Sequence, residues 1–166
     1  MEGPTLYQLA SRNDLDAVSN RCDLLPSPQA IIELTYRGRQ GLTVLPVVLS
    51  HDASLALLQK MSGLMKSDPR KRNLFATPDD GRRLPLHWCA YGTTDVQALE
   101  FAIAQFPLAL ARETRDGGTP SEWARKLFKT RANHAAVVRC LEEKTVVHSR
   151  SDWTKRNQKP GWRPDL

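Results

Sequence analysis

The sequence predicts an all-α protein built from repeated pairs of short helices, and three observations carry that prediction. Apolar residues recur at helical spacing: Val96, Leu99, Ile103 and Phe106 share one stripe, and Val137, Cys140 and Leu141 share another. A turn followed by Pro and Trp occurs twice, so that Pro85 and Pro120, and likewise Trp88 and Trp123, stand 35 positions apart. Residues of the type that caps helices, Asp14, Asp52, Asp95 and Asn133, precede four apolar stripes at spacings of 38, 43 and 38.

Taken in order, Pro4-Thr5-Leu6-Tyr7-Gln8-Leu9-Ala10 makes a first helix, and Asp14 opens a second over Leu15-Asp16-Ala17-Val18. Arg37-Gly38-Arg39-Gln40-Gly41 reads as a turn. The helix from Thr43 to Leu49 follows it, with Pro46 in the first turn, where a missing N–H costs little. Asp52 is the expected cap of the stripe Leu55, Leu58 and Met61, which Gly63 and Pro69 should stop. Pro69-Arg70-Lys71-Arg72 then forms an exposed basic loop and resembles a short nuclear-import signal.

The next turn, Asp79-Asp80-Gly81, leads into Leu84-Pro85-Leu86-His87-Trp88-Cys89-Ala90. Leu84 has no capping oxygen, so His87 is expected to satisfy part of the exposed backbone at that helix start. After Asp116-Gly117-Gly118, the residues Thr119-Pro120-Ser121-Glu122 combine a Pro at the first helical position with a capping box. The last helix should end near Lys144. Residues 145–166 are polar and basic and are expected to be a disordered tail in isolation.

The stretch from Leu84 to Ala90 resembles the T-P-L-H-x-A signature of the ankyrin repeat, a helix–turn–helix unit of about 33 residues, and Thr119-Pro120-Ser121-Glu122-Trp123-Ala124 is a poorer copy. That resemblance implies a short α-solenoid of about four units, over residues 3–40, 41–78, 79–115 and 116–144, ahead of the tail. It also implies that the turns project as fingers and, with exposed positions of the first helices, form a binding face. On this chain the fingers would present Arg37, Arg39, Arg82, Arg83 and Arg115, and the first helices would add His51, Tyr91 and Lys126. His87 would hold a structural hydrogen-bonding position.

Composition bounds what that face would meet. The 166 residues are 40% apolar, enough for one core, and carry 24 basic against 18 acidic residues, a net charge of +6. An acidic partner is favoured. Arginines beside a tyrosine are types enriched at binding hot spots, and Arg grips carboxylates in a bidentate manner.

Several function classes find no support. Cys22, Cys89 and Cys140 are odd in number and far apart, which argues against a disulfide framework or a zinc module. The histidines His51, His87, His134 and His148 pair with no Cys or carboxylate at a site-building spacing, and no nucleophile elbow, zinc-protease or phosphate-loop motif occurs. No enzyme, metal or cofactor is expected. The longest apolar run, near Leu42–Leu49, is far short of the roughly 20 residues that span a bilayer. With no secretory signal evident at Met1-Glu2-Gly3-Pro4-Thr5, the expected setting is the cytoplasm, the nucleus or both.

The expected function is therefore non-catalytic recognition of a protein partner. The alternative is a nucleic-acid-associated adaptor, using the basic loop and a tail that interleaves Trp153 and Trp162 with Lys155 and Arg156.

Overall fold

The computed structural model describes residues 3–127 and 134–157. These residues form nine α-helices and no strand. They are α1 Leu6–Ser11, α2 Leu15–Leu24, α3 Ser27–Thr35, α4 Val44–Ser50, α5 Leu55–Met65, α6 Pro85–Gly92, α7 Val96–Gln105, α8 Pro120–Leu127 and α9 His134–Asn157. Short 3-10 segments lie at Arg39–Gly41, Leu74–Ala76 and Pro107–Ala111.

The helices pack in two rows. In one, α1, α4, α6 and α8 lie each against the next; in the other, α2, α5, α7 and α9 do the same. The rows face each other where α1 meets α2, α6 meets α7 and α8 meets α9. Fully buried Leu6, Leu45, Leu49, Leu58, Met61, Leu86, Leu99 and Leu141 fill the space between them, each worth roughly 2 kcal/mol of burial. Two ion pairs span the second row, Lys60 with Asp23 and Lys144 with Glu100, both at 2.8 Å.

Local chemistry accounts for most helix starts. Thr5 and Gln8 exchange side-chain and backbone hydrogen bonds at α1, and Thr119 and Glu122 do so at α8, with Thr119 N donating to Glu122 Oε2 at 2.7 Å. Asp14 accepts from Ala17 N and Asp95 from Gln97 N. The expected cap Asn133 lies outside the described residues.

The structure departs from the sequence reading in four places. Ser54, not Asp52, caps α5, accepting from Leu57 N at 3.3 Å. Asp52 adopts φ 60° and turns its carboxylate to the next unit, where it accepts from Thr94 N and Thr94 Oγ1, both at 2.7 Å. Gly63 lies inside α5, which runs on to Met65.

The first unit holds a third helix, α3, which packs on α1, α4 and α5. Its buried Glu33 accepts from Leu6 N at 2.7 Å and from Arg21 Nε at 3.0 Å. Burial pushes the Glu33 carboxyl up, but the Arg21 guanidinium and the Leu6 amide outweigh it and leave it below the usual carboxylate range. Finally, α9 continues through Lys144 to Asn157, so residues 145–157 are helical rather than irregular. No Gly or Pro stands between His134 and Pro160 to stop it.

Candidate partner-binding face

Three turns of five residues share one geometry. Each is closed by the amide of its first residue donating to the carbonyl of its fifth: Gly38 to Leu42 at 2.8 Å, Asp79 to Arg83 at 3.0 Å and Thr114 to Gly118 at 3.2 Å. The fourth residue is left-handed in each, Gly41 at φ 70°, Arg82 at φ 60° and Gly117 at φ 72°. The residue after the fifth, Thr43, Leu84 or Thr119, precedes a first-row helix.

These turns are also joined to one another. Asp80 N donates to Gln40 O at 3.0 Å, and Arg115 N donates to Gly81 O at 2.8 Å. Among the described residues no such turn precedes Gly38, and the Tyr7 hydroxyl takes that acceptor's place, receiving Arg39 N at 3.0 Å. The second residue of each turn is therefore tied to the preceding turn or, for the first, to α1, which holds the turns in register.

This ladder sorts the arginines. Arg39, Arg82 and Arg115 are exposed, and their guanidinium groups make no hydrogen bond or ion pair with the described residues. Arg37 is engaged instead, donating to Pro78 O at 3.1 Å and lying 3.6 Å from Asp80. Arg83 is tied down furthest: its Nε donates to the buried Asp79 carboxylate at 2.7 Å, and its guanidinium lies 4.9 Å from the Trp88 ring centre and 5.9 Å from that of Trp123. Although expected on the exposed face, Arg83 is a packing residue.

Asp79 is the hub of the second turn. Besides Arg83 it accepts from Gly81 N at 2.8 Å, Arg83 N at 2.9 Å and the Trp88 indole at 3.2 Å. Trp88 and Trp123 meet edge to face at 6.2 Å, and Trp123 meets buried His87 at 5.8 Å. As the sequence suggested, His87 Nδ1 accepts from Leu84 N, at 3.1 Å.

Between the first-row helices and the first turn lies a cleft of about 280 Å³. Its lining includes Tyr7, Ser11, Arg39, Gln40, Pro46, Val47, His51 and Trp88. Arg39 and His51 were expected at a binding face; Tyr7 and Trp88 were not, because their side chains reach it only through contacts remote in sequence. Tyr91, 36% exposed, packs edge-on against Trp88 at 6.1 Å. Lys126 is exposed in the last turn of α8 and does not line the cleft. A larger cavity of about 560 Å³ at the N-terminal end is lined by the Arg21–Glu33 pair, whose opposite charges face each other, with partly exposed Ile32 and Tyr36 at its edge.

The basic loop is folded onto itself. Arg72 Nε donates to buried Asp68 at 2.8 Å, and chiefly through that guanidinium the Asp68 carboxyl is held down to about 2. The Trp153, Lys155 and Arg156 backbones belong to α9, and Trp162 lies outside the described residues. Among the described residues no group of three or more His, Cys, Asp or Glu is placed to hold a metal, and no helix is long and apolar enough to cross a membrane. The three cysteines are buried thiols; burial raises Cys22 to about 11 and pushes Cys89 and Cys140 up as well.

No protein-family model matches the chain, and no curated protein sequence is significantly similar to it.

Proposed function

We propose that this chain is a short ankyrin-like solenoid that recognises a protein partner, without catalysis, through the ridge of turns and the adjoining first-row helices. The partner surface is acidic. The observation that carries the reading is the hydrogen-bonded register of the three turns, each of which carries one exposed arginine with an unengaged guanidinium group, Arg39, Arg82 and Arg115 in order.

Arg82 adds a separate argument. It occupies the left-handed position that glycine fills in the other two turns, at a backbone cost of roughly 1 kcal/mol. A side chain kept there against that cost fits selection for what the side chain contacts. The nucleic-acid reading draws less support, because Arg72 of the basic loop is already committed to Asp68.

Capture of proteins from nuclease-treated cell extract tests the reading. Replacing Arg82 and Arg115 together with Glu should abolish specific capture at unchanged helicity, whereas Arg70→Glu with Lys71→Glu should leave it intact. Capture that survives the first pair, or is lost only with the second, would overturn the proposal.

A further inference from the structure

The cleft between α1, α4 and α6 is built for one kind of guest. Two aromatic side chains wall it, and neither is loose: the Tyr7 hydroxyl is held by Arg39 N, and the Trp88 ring is fixed by its indole bond to Asp79 and by the Arg83 guanidinium on its face. Pro46 and Val47 supply an apolar floor from α4. Arg39 and His51 supply the basic side chains of the lining, and no carboxylate lines it.

Size narrows the choice. Pockets that enclose whole small molecules run from roughly 300 to 1,000 Å³, so about 280 Å³ suits one or two anchoring side chains of a longer segment. Pre-ordered aromatic walls keep the entropy cost of such anchoring low.

We propose that this cleft binds a peptide segment of the partner protein that seats one apolar side chain on Pro46 and Val47, between Tyr7 and Trp88, and sets a carboxylate against Arg39. The inference rests on the protein-recognition reading above and names the chemistry of the partner. Charge complementarity selects the acid, since an entering carboxylate meets Arg39 and no opposing carboxylate in the lining.

Selection of a random heptapeptide phage library on the full chain tests it. The enriched peptides should pair an apolar residue with Asp or Glu. Their binding should fall about tenfold or more on Val47→Trp, which fills the cleft, and on Arg39→Glu, which reverses its charge. Arg39 lies in an exposed turn, so its variant keeps the test valid if Val47→Trp fails to fold. Enriched peptides that lack an acid, or that bind both variants like the parent, overturn the cleft assignment. If such peptides are instead lost on Arg82→Glu with Arg115→Glu, the recognition face stands while the cleft fails. No enrichment at all also overturns the cleft as a peptide site, while capture of whole proteins still judges the face by itself.

Discussion

His87 ties the start of α6 to the segment after α7 through one imidazole: Nδ1 accepts from Leu84 N, and Nε2 lies 3.1 Å from the carbonyl of Arg112. With Nδ1 accepting, the proton resides on Nε2, which donates to that carbonyl. The ring must stay neutral to do both, and its burial lowers its pKa below the ordinary 6.5. Stability from His87 is therefore complete above pH 6.5 and declines as pH falls from there, because the unfolded chain takes up a proton that the folded ring resists. Denaturant unfolding between about pH 7.5 and pH 5 should show this slope in the parent and lose it in His87→Gln. Superimposable profiles would refute it.

The same substitution should have opposite signs at two helical glycines. A Cβ on Gly63 would meet nothing within 4 Å, so Gly63→Ala should stabilise the protein by up to about 1 kcal/mol. A Cβ on Gly92 would overlap Leu49 O and lie 2.5 Å from Ser50 Cα, where α6 crosses α4. Gly92→Ala should cost about 2 kcal/mol. Thermal unfolding of the two variants side by side checks both signs.

Arg82 and Arg83 are neighbours with different tasks. Arg83→Ala removes the charge partner of the fully buried Asp79 carboxylate and should destabilise by about 2 kcal/mol. Arg82→Ala leaves the described packing untouched and should change stability by no more than about 0.5 kcal/mol. Equal effects on the unfolding midpoint would contradict the division.

Tyr7 closes the N-terminal end of the turn ladder. Tyr7→Phe removes the acceptor of Arg39 N and should cost about 1 kcal/mol. Hydrogen exchange should quicken at the Arg39 amide while the Arg115 amide, bonded to Gly81 O, keeps its protection. Unchanged exchange at Arg39 would place its partner elsewhere.

What could be read from the sequence was what local chemistry decides. The Thr119–Glu122 box, the Asp14 and Asp95 caps and the His87 bond to Leu84 each depend on residues at most three apart, and all are present. Asp52 was misassigned because a capping acid and a left-handed turn acid are the same residue type, and its true partner, Thr94, stands 42 positions on. The role of Arg83 depends on Trp123, which the chain brings back only by stacking α8 on α6. The cleft shares that origin, since Tyr7 on α1 and Trp88 on α6 line it together only because α4 packs against both helices. Helix α3 begins within Pro26-Ser27-Pro28, where prolines that usually mark a turn instead sit at a helix start, Pro26 at the cap and Pro28 in the first turn.

The most direct test of the recognition face is Arg82→Gly, measured for unfolding free energy and for capture of partner proteins from the same preparation. Relief of the left-handed backbone should raise stability by up to about 1 kcal/mol. Loss of the guanidinium should reduce capture about tenfold. A variant that is more stable and binds as well as the parent would contradict the account, because the side chain would then have nothing to contact.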